Sequence, residues 1–120
     1  MPQYVDGFVI PVPRKSLAAY TKMARAAARV WMDLGALEYR ECVGDDLRPR
    51  GVTPFPRLFP TKPGETIVFS WIVYRSRKHR DAVNKKVMAD PRIRKMMAAG
   101  EMPFDAARMA YGGFTTIVAR

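Results

Sequence analysis

The chain has 120 residues, 48% of them hydrophobic, which is enough for one domain with its own core. Its single cysteine excludes an intrachain disulfide and a cysteine-based zinc cluster. Lys and Arg (21) outnumber Asp and Glu (11), and the net charge of +10 favours association with polyanions or small anions without specifying either.

The first third of the chain predicts a strand, a helix and a second strand. Apolar residues alternate with a period of two over residues 3–10, and Pro11 follows as a predicted end of this strand. Over residues 14–34 they recur every three or four positions, as in an amphipathic helix, and Gly35 suits its C-terminal end. Alternation returns over residues 36–43, which predicts the second strand.

The middle of the chain contains a proline-rich segment followed by the most strand-like run in the sequence. Five prolines between residues 47 and 63 exclude a regular helix there, and interspersed apolar residues predict a packed excursion or a partner-facing arm. The run ETIVFSWIVY, Glu65 to Tyr74, is rich in β-branched and aromatic residues. It predicts a central strand with both faces at least partly covered.

The last third predicts two helices and a final strand. Ser76 can cap a helix over residues 77–89. Asp90 and Pro91 then suit the cap and first position of a second, shorter helix. After a short connection, a strand is predicted over residues 114–118.

The element order β-α-β-β-α-β predicts an α+β fold of ferredoxin-like type, with one domain spanning residues 1–120. Such a fold has a four-stranded antiparallel sheet with its helices on one face. The other face is expected to carry more aromatic surface than solvent tolerates, from Tyr4, Phe8, Phe69, Trp71 and Phe114. We therefore predict a homodimer in which two sheets pack face to face, a dimeric α+β barrel.

Five stretches of the chain resemble an uncharacterised bacterial family of YbaA-like proteins. They are YVDGFVIPVP (4–13), GALEYRECVGDD (35–46), VFSWIVY (68–74), RDAVNKKVMADPR (80–92) and MPFDAARMAYGGF (102–114). The resemblance covers nearly the whole chain and implies the dimeric α+β barrel superfamily. It implies no particular reaction, because that superfamily includes cofactor-independent monooxygenases, lactone isomerases, haem-dependent members and proteins without known activity.

Asp6 is the leading candidate for chemistry, because it is a carboxylate in an otherwise apolar strand. In an apolar cleft with phenols nearby it would serve as a general base, and Tyr74 is the second candidate catalytic residue. The alternative is that Asp6 and Asp105 accept hydrogen bonds from backbone amides or arginines and thereby fix loops. The candidate ligand-binding residues are Tyr4, Trp71, His79, Asp105, Arg108 and Tyr111.

Three functions of different class are compatible with the sequence. In the first, the homodimer binds a small organic molecule in a pocket between sheet and helices. Anionic molecules are among the candidate ligands. The sequence leaves open whether the protein also transforms the molecule that it binds. No metal or other cofactor is expected, since His79 is the only histidine. In the second, the basic segment 75–95 binds RNA or DNA without sequence preference. The residues of that hypothesis are Arg77, Lys78, Arg80, Lys85 and Lys86. In the third, the protein is a structural dimer.

The sequence predicts a cytoplasmic protein. The N-terminal residues lack the basic segment and apolar core of a secretory signal. No apolar run approaches the roughly 20 residues that span a bilayer.

Overall fold

The structure of the protein, a computed structural model, describes residues 2–100 and 102–120. Its elements are β1 (Tyr4–Pro13), α1 (Leu17–Asp33), β2 (Glu38–Val43), α2 (Phe55–Leu58), β3 (Glu65–Tyr74), α3 (Arg77–Ala89), α4 (Pro91–Ala98) and β4 (Ala110–Thr115). Single 3-10 turns precede α1, at Arg14–Ser16, and β4, at Ala106–Arg108.

The four strands form one antiparallel sheet in the order β2-β3-β1-β4. Helices α1 and α3 follow β1 and β3 in the chain and pack on one face of the sheet, where their buried residues join the side chains of the two central strands. This is the ferredoxin-like arrangement, so the predicted fold class is confirmed. The α2 turn and the division of the second helical segment into α3 and α4 are additions to it.

The register decides which side chains face the helices. Tyr4 pairs with Tyr74 and Phe8 with Ser70, and all four lie on the face that α1 and α3 cover. Placing Tyr4 and Phe8 on the free face was therefore wrong. The alternation of apolar residues correctly predicts which residues share a face of the sheet. It does not predict which of the two faces the helices cover.

The opposite, open face of the sheet is aromatic. Phe69 is 43% exposed and Phe114 is 60% exposed, while Trp71 is partly buried. Phe55 of α2 packs edge-on against Phe69, with ring centroids 6.1 Å apart, and Phe69 packs against Trp71 at 5.8 Å. The proline-rich segment is thus a packed excursion over part of this face.

Strand β1 continues through Pro11 and Pro13, although the sequence predicts its end at residue 10. Beyond Val9, β1 pairs with β3 alone, because Ala110, the first residue of β4, lies opposite Val9. Proline lacks the N–H that a central strand donates, and an edge leaves room for that loss. The two prolines therefore lie where β1 has become an edge strand.

Strand β4 begins earlier than predicted and contains Gly112 and Gly113, which the sequence places before it. Gly112 pairs with Gly7 of β1. A Cβ atom on Gly113 would lie 2.7 and 2.9 Å from two ring carbons of Tyr4. A side chain at this position would overlap the Tyr4 ring, so the glycine allows β4 to pair with β1.

The two predicted helix caps are present. The Ser76 hydroxyl accepts a hydrogen bond from the His79 N–H at 3.1 Å, and Asp90 Oδ1 accepts one from the Arg92 N–H at 2.8 Å. Pro91 occupies the first turn of α4, where its missing N–H has no helical partner to lose. These caps set the bounds of α3 and α4.

Candidate functional site

A cavity of about 430 Å³ lies between the sheet and helices α1, α3 and α4. Its volume suits a small organic ligand. The wall is mostly apolar and includes six of the eight methionines, whose flexible side chains adapt to ligand shape. They are Met23, Met88, Met96, Met97, Met102 and Met109.

Asp6 lines this wall and forms a buried ion pair with Arg80, which lies behind the wall. Asp6 Oδ1 accepts a hydrogen bond from Arg80 Nη1 at 2.6 Å. The Asp6 side chain is 2% exposed and that of Arg80 is 12% exposed. The guanidinium also lies 4.9 Å from the centre of the Tyr4 ring and donates to Asp81 at 2.8 Å. Arg80 therefore compensates a carboxylate that burial alone would destabilise.

The pKa of the Arg80 guanidinium depends on its burial and on the carboxylates beside it. Burial lowers the pKa of this guanidinium, but the hydrogen bond to Asp81 and the negative charge of Asp6 outweigh burial and raise the pKa above its usual value. Arg80 is therefore a permanent cation in this site.

Tyr111 of β4 extends this polar group into the cavity. Its hydroxyl accepts a hydrogen bond from Arg80 Nη1 at 2.8 Å, and its ring stacks on Phe8 with centroids 4.9 Å apart. Burial and the negative charge of Asp6 raise the pKa of the Tyr111 phenol. The phenol is thus neutral at physiological pH and available for hydrogen bonding.

A second polar group is centred on Glu41 of β2. The Tyr20 hydroxyl, from α1, donates to Glu41 Oε1 at 2.6 Å, and the Tyr39 hydroxyl donates to Oε2 at 2.8 Å. Burial and the adjacent Glu41 charge raise the pKa of both phenols. All three residues line the cavity. Sequence reasoning missed this group, although Tyr39 and Glu41 fall on one face of a predicted strand and Tyr20 on the apolar stripe of a predicted helix.

Of the two candidate catalytic residues, only Asp6 lines the cavity. Tyr74 is fully buried in the core, where its hydroxyl donates to Asn84 Oδ1 at 3.2 Å. Burial and the Asp6 charge raise the pKa of Tyr74, so its phenol stays protonated. Tyr74 packs beside the site without facing the cavity.

Among the candidate ligand-binding residues, Tyr111 lines the cavity, while Tyr4, Trp71 and His79 do not. Tyr4 lies against the Arg80 guanidinium, and Trp71 lies on the open face of the sheet. His79 Nδ1 accepts a hydrogen bond from the Arg75 N–H at 3.0 Å. Burial and the nearby charges of Arg75 and Lys86 lower the pKa of His79, which favours the neutral imidazole.

Neither Asp105 nor Arg108 lines the cavity, and Arg108 lies at the far end of the sheet from Asp6. The Arg108 guanidinium binds both oxygens of Glu65, at 2.7 and 3.0 Å. Glu65 pairs with Pro13, seven residues along β1 from Asp6, which is about 23 Å at the usual rise of a strand. Asp105 accepts a hydrogen bond from the Ala107 N–H at 3.1 Å. The alternative role, binding to arginines and amides, thus matches the contacts of both Asp6 and Asp105.

One of the five residues named for the polyanion hypothesis is not exposed at the surface of the basic segment. Arg77, Lys78, Lys85 and Lys86 are exposed on α3, but Arg80 is turned into the pair with Asp6. Including Arg80 in a polyanion-binding surface was wrong, because a buried carboxylate requires a cation beside it. The other four of the five residues named for the polyanion hypothesis are exposed.

Two further features concern metals and membranes. Across residues 2–100 and 102–120, no three His, Cys, Asp or Glu side chains cluster closely enough to hold a metal ion. No helix within the same ranges is long and apolar enough to cross a bilayer.

Comparisons with solved structures agree with the fold. The putative antibiotic biosynthesis monooxygenase from Nitrosomonas europaea superposes with a TM-score of 0.57 at 13% identity, covering 96% of this chain and 90% of that one. A dimeric ferredoxin-like protein from an uncultured marine organism also gives 0.57, at 9% identity, with complete coverage of both chains. At these identities the likeness concerns the fold alone.

Comparisons of sequence identify the family. The "Uncharacterized protein YbaA" of Escherichia coli (strain K12) is 45% identical over 117 residues, which is 97% of each chain, and the protein of that name in Shigella flexneri matches equally. The resemblance to YbaA-like proteins is thereby confirmed. The family described as "Protein of unknown function (DUF1428)" matches residues 3–106, and the chain belongs to that family.

Proposed function

We propose that the protein binds a small, mainly apolar organic molecule in the cavity between its sheet and its helices. The observation that carries this proposal is a space of about 430 Å³ whose mostly apolar wall contains hydrogen-bonded polar groups, among them those centred on Glu41 and Asp6. Ligand sites typically combine an apolar wall with a few fixed polar groups, which orient the ligand.

In this proposal Asp6 and Tyr111 contact the ligand and Arg80 holds them in place. The 2.6 Å contact with Arg80 occupies one oxygen of Asp6 and compensates its charge. A carboxylate in such a pair is better suited to accepting a hydrogen bond from the ligand than to removing a proton. We therefore assign Asp6 a binding role.

Replacing Ala27 with phenylalanine is expected to block this cavity. Ala27 is a buried residue of α1 on the cavity wall, so a phenyl ring there would fill the space that a ligand needs. Titration calorimetry with 2-phenylethanol should show binding to the unmodified chain and affinity lower by about tenfold or more in Ala27→Phe. Native mass spectrometry would identify any co-purified ligand.

The matched control for this experiment is Ala26→Phe, on the same helix but exposed. It should bind 2-phenylethanol as the unmodified chain does. Circular dichroism checks that both variants fold, since an overpacked core costs about 1–3 kcal/mol. Equal affinities of the two variants, or no binding by the unmodified chain, would contradict the proposal.

We further propose that a second copy of this chain covers the open face of the sheet. Phe69 and Phe114 are large, apolar and strongly exposed there, and such patches are typical of interfaces. A two-fold contact buries the same patch on both copies. A solved protein with the same fold is dimeric, which supports the proposal.

Replacing Phe69 with glutamate should convert this dimer to a monomer, because the contact would then bury two unpaired carboxylates. Native mass spectrometry of the unmodified chain should give twice its 13.6 kDa mass. The control is Met32→Glu, which adds the same charge at an exposed position of α1. A monomeric unmodified chain would overturn the dimer.

A further inference from the structure

We infer that the ligand of the cavity carries a positively charged amine, which Glu41 binds among surrounding aromatic rings. This inference rests on the proposed binding function and adds the chemical class of the ligand. It depends on three properties of the site. Glu41 forms no salt bridge among the described residues, its oxygens can accept further hydrogen bonds, and aromatic rings lie around it.

Among the residues that the structure describes, two carboxylates line the cavity wall, and they have different partners. Asp6 is paired with Arg80 at 2.6 Å. Glu41, by contrast, forms none of the salt bridges found among the described residues, and its hydrogen-bond partners are the neutral phenols of Tyr20 and Tyr39. A carboxylate facing an apolar space gains most from a cation placed beside it. The protein supplies that cation for Asp6 and leaves the place beside Glu41 to a ligand.

Glu41 also retains the capacity to bind such a cation. A carboxylate offers about four acceptor positions, and the two phenols use one on each oxygen. Because their pKa values are raised, Tyr20 and Tyr39 remain protonated donors, and they hold the carboxylate in a fixed orientation. Its remaining acceptor positions are suited to the N–H groups of an ammonium.

The rings near Glu41 favour the same ligand. Tyr39 packs against Trp31 with centroids 6.1 Å apart, and Tyr20 packs edge-on against Phe104 at 5.6 Å. All four rings line the cavity with Glu41. Aromatic faces attract ammonium groups, and several rings combined with a carboxylate select cations over neutral or acidic groups. The methionines of the wall would then surround the apolar body of the amine.

Three probes of similar shape test this inference: 2-phenylethylamine, 2-phenylethanol and 3-phenylpropanoate, titrated by calorimetry at neutral pH. The amine should bind about tenfold or more tightly than the alcohol, and the acid most weakly. The net charge of +10 opposes non-specific binding of an amine, so a preference for it would report the local site.

Glu41→Gln should abolish the preference for the amine, so that this variant binds amine and alcohol with about equal affinity. The control is Glu38→Gln, which removes an exposed carboxylate from the same strand, where it is paired with Arg40. That control should retain the preference for the amine.

The outcomes separate the two proposals. Equal affinity for amine and alcohol, tightest binding of the acid, or an unchanged preference in Glu41→Gln would overturn the amine inference and leave the cavity as a binding site. If none of the three probes binds the unmodified chain, both proposals fail. The comparison among probes uses the unmodified chain, so it holds even if a variant does not fold.

Discussion

Replacing Arg80 with methionine is expected to lower the free energy of unfolding by about 3–5 kcal/mol, because it leaves the Asp6 carboxylate buried without a cation. The methionine keeps much of the apolar volume of the arginine stem. The loss therefore comes mainly from the unpaired charge, together with the contact between the guanidinium and Tyr4. Urea denaturation followed by circular dichroism measures it.

The control for this prediction is Arg77→Met, which removes an exposed charge from the same helix and should change stability by no more than about 0.5 kcal/mol. The double variant Asp6→Leu with Arg80→Met should recover much of the loss, since replacing both partners of a buried pair by apolar residues is often neutral or better. A loss below about 1 kcal/mol in Arg80→Met would mean that water already solvates Asp6.

Replacing Ile93 with alanine is expected to cost about 2–5 kcal/mol, the usual range for removing a buried isoleucine. Ile93 is the buried residue of α4, and it packs in the core cluster with Val83 and Val87 of α3. Because it also lines the cavity, its loss should loosen the wall that α4 forms. Chemical denaturation measures the stability, and hydrogen exchange of α4 amides reports the local loosening.

Met97→Ala tests the same helix at a side chain that is 63% exposed, where a change of no more than about 0.5 kcal/mol is expected. Similar losses of unfolding free energy in the two variants would contradict the assignment of Ile93 as the residue that packs α4 against the core. A large loss in Ile93→Ala with unchanged exchange in α4 would place its contribution in the core instead.

The function must be argued from the cavity, since one fold carries many functions. The two carboxylates that line it within residues 2–100 and 102–120 have separate environments. Asp6 is neutralised from within by Arg80, whereas Glu41 is held by neutral donors. One lining carboxylate therefore has a cation beside it and the other does not, and the amine inference rests on that contrast.

Elements whose signals are local can be predicted from the amino-acid sequence. The run Glu65–Tyr74 is strand β3 and residues 77–89 are helix α3, both as predicted. Alternating apolar residues and a serine cap act within a few positions of the chain, so they can be recognised without knowing the partner element. The position of Asp6 in an apolar strand likewise indicated a carboxylate that is either hydrogen-bonded when buried or faces a cavity.

The partners of these residues depend on how distant parts of the chain pack together. Arg80 lies 74 positions from Asp6, and Glu41 lies 21 positions from Tyr20. Periodicity says which residues share a face, but it does not say which face is covered or which strand lies alongside. For that reason Tyr4 was misplaced on the free face, and Arg80 was read as one more surface charge. Sheet register and helix docking bring distant residues together, and both arise from the packing of the whole chain.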